Sequence, residues 1–115
     1  MKKLTFCFDI DNTICSTNGR DYNKSKPKKK VIKMINTLYS KGHIIKLNTA
    51  RFMGRSNDNF KFSKKKASQL TKRQLKLWGL KYHKIFFGKP SADIYIDDKS
   101  YCYNERWLIY LKKYL

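Results

Sequence analysis

Short apolar runs alternate with amphipathic segments along most of this chain. Four runs have the length and composition of buried strands, and they cover residues 4–8, 43–47, 84–87 and 93–96. Three longer segments carry apolar residues at helical spacing, and they cover residues 28–41, 63–78 and 105–114. In the first of these the stripe consists of Val31, Ile32, Ile35, Leu38 and Tyr39. Strands that alternate with helices predict a parallel α/β sheet.

The second helix has a less regular pattern than the first. We expect Ser63 to cap it and Gly79 to close it. Its inward side chains are predicted to be Ala67, Leu70, Leu77 and Trp78. Leu75 interrupts that stripe. Polar loops are predicted at residues 12–27 and 52–62.

The predicted fold class is α/β, a three-layer sandwich around a central parallel sheet of the Rossmann-like kind. A length of 115 residues supports one domain, residues 1–115, with one core. No apolar run approaches the roughly 20 residues of a membrane span, and the basic start lacks a signal-peptide core. Three cysteines without paired metal spacing fit a reduced protein. These observations predict a cytoplasmic protein without a membrane partner.

The charge is strongly one-sided, with 27 basic and 8 acidic residues and a net charge of +19. Such a field attracts anionic substrates and leaves nucleic acid open as a partner. Lysine outnumbers arginine heavily, whereas proteins that bind phosphates and bases specifically favour the bidentate contacts of arginine. A solvated lysine surface therefore remains the other interpretation.

Four of the eight acidic residues form two tight pairs. Asp9 and Asp11 follow the first predicted strand, and Asp97 and Asp98 follow the last. Neighbouring carboxylates repel each other, and a divalent cation with oxygen ligands offsets that repulsion. The pairs therefore predict a Mg²⁺ site, and a carboxylate can attack phosphorus while a second one transfers protons.

Further polar residues follow the other two strands. Thr49, Ala50 and Arg51 come after the second strand, and Lys89 comes after the third. Ligands of parallel α/β sheets bind at the carboxyl ends of the strands, so these groups are expected to converge with the carboxylates. The Thr49 hydroxyl and the amides after it are candidate donors to phosphoryl oxygens. A cation such as Lys89 suits phosphate.

In this order, four segments resemble the signatures of the haloacid dehalogenase superfamily of phosphohydrolases. They are Phe8-Asp9-Ile10-Asp11-Asn12-Thr13-Ile14, Leu47-Asn48-Thr49-Ala50-Arg51, Gly88-Lys89-Pro90 and Tyr95-Ile96-Asp97-Asp98. The resemblance implies that Asp9 is the nucleophile, Asp11 the acid/base, Thr49 the phosphate binder and Lys89 the electrostatic anchor. It further implies that Mg²⁺ is held by Asp9, Asp97 and Asp98, with the main-chain carbonyl of Asp11.

Larger members of that superfamily carry a cap domain after the first or second signature, and the intervals here are too short for one. The resemblance therefore implies a capless enzyme with an open site, and it leaves a homo-oligomer open. The sequence is similar to small bacterial phosphatases of capsular or surface polysaccharide biosynthesis, which implies a sugar phosphate as the small-molecule substrate.

Several alternatives remain open at this point. A phosphatase of nucleotides or nucleic-acid ends would also suit the charge, and so would a non-catalytic basic module that binds polyanions. Arg51 is expected to pair either with a substrate group or with an acidic neighbour. Asn12 either contacts substrate or orders the turn that contains it. The two polar loops are where specificity is expected to lie.

Overall fold

The structure is a computed structural model, and it describes residues 2–51, 60–87 and 92–97. Its strands are β1 (Thr5–Asp9), β2 (Cys15–Ser16), β3 (Lys26–Pro27), β4 (Ile44–Asn48), β5 (Lys84–Phe86) and β6 (Ile94–Ile96). Its α-helices are α1 (Lys29–Ser40) and α2 (Phe60–Trp78), and a short 3₁₀ helix covers Tyr22–Lys24. The four predicted strands are therefore confirmed to within one residue at either end.

Four parallel strands form the central sheet, in the order β5-β4-β1-β6. The central strand β1 lies beside β4 on one side and β6 on the other. The register places Asp9 level with Asn48, and Asn48 level with Phe86. Phe8 is level with Ile96 across the other side of β1. This parallel sheet flanked by helices confirms the predicted α/β fold class, and it is consistent with a Rossmann-like three-layer sandwich.

The core lies where α1 packs against the sheet. Phe6 and Phe8 of β1 and Ile45 and Leu47 of β4 alternate along their strands and are buried together. Helix α1 adds the buried side chains Val31, Ile32, Met34, Ile35 and Leu38. The predicted stripe of α1 is thus confirmed, with Met34 as an addition and Tyr39 only partly buried.

Helix α2 differs from the prediction in its start and in its inward face. It begins at Phe60, so residues 60–62 of the predicted loop 52–62 are helical, and Ser63 lies inside the helix rather than at its start. Leu75 is fully buried, whereas Leu77 is 83% exposed. The buried positions Thr71, Gln74 and Leu75 have the spacing of one helical face. That face is partly polar, and the apolar pattern alone was therefore wrong for Leu77 and missed Leu75. Trp78 packs against the core as predicted, and Leu70 is partly buried. The side chain of Ala67 lies outside the described residues.

The predicted loop 12–27 contains more structure than expected. Strands β2 and β3 pair antiparallel within it, and the 3₁₀ helix lies between them. Several predictions lie outside the described residues: the helix 105–114, Lys89, Asp98, and residues 52–59 of the second loop. Among the helices that the structure describes, none is long and apolar enough to cross a membrane.

Candidate active site

The carboxyl edge of the central sheet gathers the predicted groups that the structure describes. Asp9 ends β1, and Thr49 follows the β4 residue that is level with it. Asp97 follows Ile96, whose partner on β1 is Phe8, so Asp97 comes at the level of Asp9. Both carboxylate residues are partly exposed, whereas Thr49 is buried. Two carboxylates and a hydroxyl therefore meet at one edge of the sheet.

A tight turn carries the chain away from Asp9. The Ile10 carbonyl accepts hydrogen bonds from the amides of Thr13 and Ile14, at 3.2 and 2.9 Å. Asn12 takes the left-handed conformation with φ 63°, which asparagine tolerates better than most residues. Its side-chain oxygen accepts from the Thr17 amide at 3.1 Å. Of its two predicted roles, the structure therefore shows Asn12 ordering the turn.

Asp11 lies within this turn, and a buried arginine binds its side chain. The Arg51 Nε donates to both oxygens of the Asp11 carboxylate, at 3.1 and 3.0 Å, and Nη2 donates to Oδ1 at 2.9 Å. The arginine side chain is fully buried, and the aspartate side chain is 21% exposed. Forked contacts of this kind fix the orientation of a carboxylate as well as offsetting its charge. Arg51 thus pairs with an acidic neighbour, and its predicted contact with substrate stays a prediction.

Two elements, helix α2 and the loop 12–27, hold the rest of the Arg51 guanidinium. Helix α2 provides Gln74 Oε1 and Thr71 Oγ1, the latter 3.4 Å from Nη1. The loop 12–27 provides Ser25 Oγ, 3.3 Å from Nη2, and the Tyr22 ring, whose centroid lies 5.2 Å from the guanidinium carbon. The group is therefore held by hydrogen bonds and by the face of an aromatic ring.

Besides Arg51, a threonine hydroxyl of the loop 12–27 donates to Asp11. Thr17 Oγ1 donates to Asp11 Oδ1 at 2.6 Å, and it lies 2.6 Å from Ser25 Oγ. Gln74 also links α2 to the loop, since its Nε2 donates to the Tyr22 carbonyl at 2.6 Å. We call this set the Asp11 network: Asp11, Thr17, Tyr22, Ser25, Arg51, Thr71 and Gln74. It joins the turn after β1, the loop 12–27, the end of β4 and the helix α2.

Cys15 lies beside the Asp11 network, and its surroundings make it a poor nucleophile. The thiol is buried, with its sulfur 3.5 Å from Thr17 Oγ1 and 3.7 Å from Asp11 Oδ1. Burial has the largest effect and raises the pKa of Cys15. In decreasing order of size, the hydrogen bond with Thr17 lowers this pKa, the Asp11 carboxylate raises it, and Arg51 and Ser25 lower it. The thiol therefore stays protonated at neutral pH.

Five members of the Asp11 network were absent from the sequence prediction: Thr17, Tyr22, Ser25, Thr71 and Gln74. The first three fall in a loop of polar residues, where nothing singles out one hydroxyl from another. Thr71 and Gln74 did leave a signal, because they precede the buried Leu75 on one helical face. Polar side chains on a buried face need partners, and that requirement could have drawn attention to them.

Two further predicted binding residues sit at the end of β4. The Thr49 hydroxyl oxygen accepts from the Arg51 amide at 3.0 Å, so its own O–H is not used in that bond. Ala50 is exposed at the start of the following turn. The chain at this point therefore offers a hydroxyl beside exposed backbone. Neither Lys89 nor Asp98 belongs to the described residues, so their predicted roles stay predictions.

The donor set at the sheet edge suits a hard divalent cation. Asp9 and Asp97 provide carboxylate oxygens from neighbouring strands at one level. Mg²⁺ is commonly held by one or two carboxylates while it keeps several waters. The Asp11 side chain does not fit this role, because Arg51 and Thr17 occupy it, which leaves its main-chain carbonyl as the predicted ligand. Within residues 2–51, 60–87 and 92–97, no three His, Cys, Asp or Glu side chains form a ready-made cluster.

Comparison with known proteins supports the fold. The chain is similar to a crystal structure of a structural-genomics target from Vibrio cholerae, with a TM-score of 0.68 and 24% identity over 98% of both chains. It is also similar to a conserved protein from Bacteroides thetaiotaomicron, with a TM-score of 0.60 and 18% identity, over 98% of this chain and 91% of the other. No protein-family model and no curated protein matches the sequence. At these identities the likeness shows a shared fold over nearly the whole chain.

Proposed function

We propose that this chain is a Mg²⁺-dependent phosphomonoester hydrolase of the haloacid dehalogenase type, without a cap domain. Its proposed substrate is a sugar phosphate of surface polysaccharide biosynthesis. The observation that carries the proposal is the difference between two carboxylates only two residues apart. Asp9 lies at the sheet edge level with Asp97, and Asp11 is held within the following turn by Arg51. This difference supports Asp9 as the nucleophile beside the proposed cation site and Asp11 as the proton carrier.

The proposed reaction has two steps. The reaction starts with Asp9 ionised and Asp11 protonated. The Asp9 carboxylate attacks phosphorus, the bond from phosphorus to the leaving oxygen breaks, and that oxygen takes the proton of Asp11, which is left as the carboxylate that Arg51 and Thr17 bind. The product of this step is an aspartyl-phosphate on Asp9. A water molecule then gives its proton to Asp11 and attacks the phosphorus, which releases inorganic phosphate and restores both carboxyl groups. Asp11 serves as acid in the first step and as base in the second.

Other groups at the edge bind the phosphoryl oxygens. The Thr49 O–H and the Ala50 amide are the proposed donors at the end of β4, since the Arg51 amide already donates to Thr49 Oγ1. Lys89 is proposed as the cation that offsets the remaining negative charge. Mg²⁺ held by Asp9, Asp97 and Asp98 would neutralise charge between the nucleophile and the phosphoryl group. The net charge of +19 favours the approach of such an anionic substrate.

The test is phosphate release from a panel of sugar phosphates, nucleotides and 3′-phosphorylated oligonucleotides. Each substrate is assayed with Mg²⁺ and with excess EDTA, and an Asp9→Asn protein is run beside the wild type. Turnover that needs both Mg²⁺ and Asp9, and is fastest on a sugar phosphate, is the expected result. Turnover that is unchanged in Asp9→Asn would refute the assigned nucleophile, and no turnover on any substrate would refute the enzyme.

A phosphatase of nucleic-acid ends is the second candidate, and the charge of the helices favours it. Helix α1 carries three basic residues and α2 carries seven, and neither contains an acidic residue. Such a surface attracts a phosphate backbone, and binding through it falls steeply with salt. A preference for 3′-phosphorylated oligonucleotides, with KM rising strongly between low and physiological salt, would favour this candidate. Tight oligonucleotide binding without turnover would favour the non-catalytic module instead.

A further inference from the structure

We propose that Arg51 is a positioning residue for the acid/base Asp11, and that Gln74 and Thr71 of α2 fix its guanidinium for that task. The inference rests on the proposed function and deepens it. It assigns a role to Arg51 other than substrate contact, and it brings into the site a helix whose residues no catalytic signature contains.

The Arg51 guanidinium binds the Asp11 carboxylate as a planar fork. Arg51 donates from two nitrogens, and one of them contacts both carboxylate oxygens of Asp11. A single point charge would allow the carboxylate to rotate, whereas a planar fork leaves one orientation. Proton transfer to a leaving oxygen needs the donor oxygen within hydrogen-bond reach, so orientation controls its rate. Thr17 adds a third constraint on the same Oδ1 atom.

The Arg51 guanidinium is itself held in place by helix α2. The Nη1 nitrogen faces away from Asp11 and donates to Gln74 Oε1 and Thr71 Oγ1, one helical turn apart on α2. Gln74 is fixed in turn, because its Nε2 donates to the Tyr22 carbonyl. The guanidinium is thus bound at both ends, and its plane cannot turn without breaking bonds to α2. The helix therefore transmits its position to Asp11 through Arg51.

A positioning role differs from a purely structural one in its dependence on the leaving group. An alkyl phosphate releases a strongly basic oxygen and needs a proton from Asp11, whereas a p-nitrophenyl phosphate releases a stable phenolate without one. The value of kcat/KM reports the steps up to formation of the aspartyl-phosphate. Loss of Asp11 positioning should therefore lower kcat/KM for the alkyl ester and largely spare it for the aryl ester.

The experiment measures kcat/KM for glycerol phosphate and p-nitrophenyl phosphate in Arg51→Lys, Gln74→Leu and Thr71→Val. The matched control is Arg73→Lys, an exposed arginine on the same helix. We expect the alkyl-to-aryl ratio to fall about tenfold or more in Arg51→Lys, by a smaller factor in Gln74→Leu, and least in Thr71→Val. The ratio in Arg73→Lys should equal that of the wild type. Thermal unfolding of each protein shows that the comparison is made among folded proteins.

The possible results distinguish failure of the positioning role from failure of the proposed phosphatase function. An equal fall on both esters, or no fall on either, in a folded Arg51→Lys protein would overturn the positioning role while the phosphatase stands. If Arg51→Lys does not fold, Thr71→Val, which removes one hydroxyl, carries the same test at smaller amplitude. A wild type that is inert on both esters with Mg²⁺ would overturn the proposed function, and with it this inference.

Discussion

Asp9 and Asp11 belong to one short motif, yet their surroundings have little in common. Asp9 ends the central strand at the sheet edge, level with the acidic Asp97 on the neighbouring strand. Asp11 lies in the tight turn that follows, where a buried arginine and a threonine hydroxyl bind its oxygens. Spacing in the sequence makes the two residues look alike, and their partners make them different. In this chain the role of a carboxylate is set by residues 6 to 40 positions away from it.

The difference has a physical consequence for the two residues. A carboxylate that is paired with a buried arginine contributes to the fold, because removal of either partner leaves the other charge without compensation. Asp9, the proposed nucleophile, lies at the level of another acidic residue, and repulsion between like charges opposes folding. We therefore expect replacement of Asp9 to cost less stability than replacement of Asp11. The first two predictions test this division directly.

Replacement of Asp9 by asparagine should give the largest effect on turnover. The substitution keeps the shape of the side chain and removes the nucleophile, so we expect kcat to fall by about 10³-fold or more on every phosphate ester. Thermal unfolding should change little. Asp11→Asn, the matched substitution two residues away, should lower the unfolding temperature as well, because Arg51 loses a charged partner. Equal stability of the two variants would break the comparison.

A double-mutant cycle should show a large coupling between Asp11 and Arg51. The variants are Asp11→Asn, Arg51→Met and the pair together, compared by urea denaturation. Loss of one partner of a buried ion pair typically costs about 3–5 kcal/mol, and the partly exposed Asp11 places this pair at the lower end. We expect the double variant to be more stable than the sum of the single losses implies. Additive losses would mean that the two side chains do not act as a unit.

The position of α2 should matter for the Asp11 network through one of two leucines. Leu75 is buried beside Gln74, and Leu77 projects into solvent. We expect Leu75→Ala to lower the free energy of unfolding by about 2–4 kcal/mol. Turnover should fall as well, because α2 would no longer hold Gln74 and Thr71 of the Asp11 network in place. Leu77→Ala should stay within about 0.5 kcal/mol of the wild type and keep full activity. A reversed order in urea denaturation would contradict the observed face of α2.

Sequence patterns predicted the sheet well, for a clear physical reason. Buried parallel strands are short, nearly continuous apolar runs, and β1, β4, β5 and β6 all have that form. The carboxyl ends of such strands share an edge. The gathering of Asp9, Thr49 and Asp97 therefore followed from strand order in the chain without knowledge of the pairing.

The Asp11 network could not be predicted in the same way. Asp11 and Arg51 are 40 residues apart, and the sequence left two partners open for the arginine. Thr71 and Gln74 occupy the buried face of α2, where an analysis based on apolar residues placed Leu77 instead. Buried polar groups follow from specific hydrogen bonds in three dimensions, and no periodicity of hydrophobic residues encodes those bonds.

Two threonines in the turn and loop after β1 provide the finest test of the comparison. Thr17 Oγ1 contacts Asp11, Ser25 and the Cys15 sulfur, whereas the buried Thr13 Oγ1 has no hydrogen-bond partner among the described residues.

The same substitution, threonine to valine, should therefore have opposite effects at these two positions. Thr17→Val removes a donor to a carboxylate and should cost about 1–2 kcal/mol, together with part of the alkyl-phosphate activity. Thr13→Val replaces an unsatisfied hydroxyl by a methyl group, so it should be neutral or stabilise by up to about 1 kcal/mol. Urea denaturation of both variants measures the difference. An equal loss of unfolding free energy in the two variants would mean that the Thr13 hydroxyl has a partner too. It would also mean that the hydrogen bond from Thr17 to Asp11 contributes no more to stability than other contacts of a buried threonine.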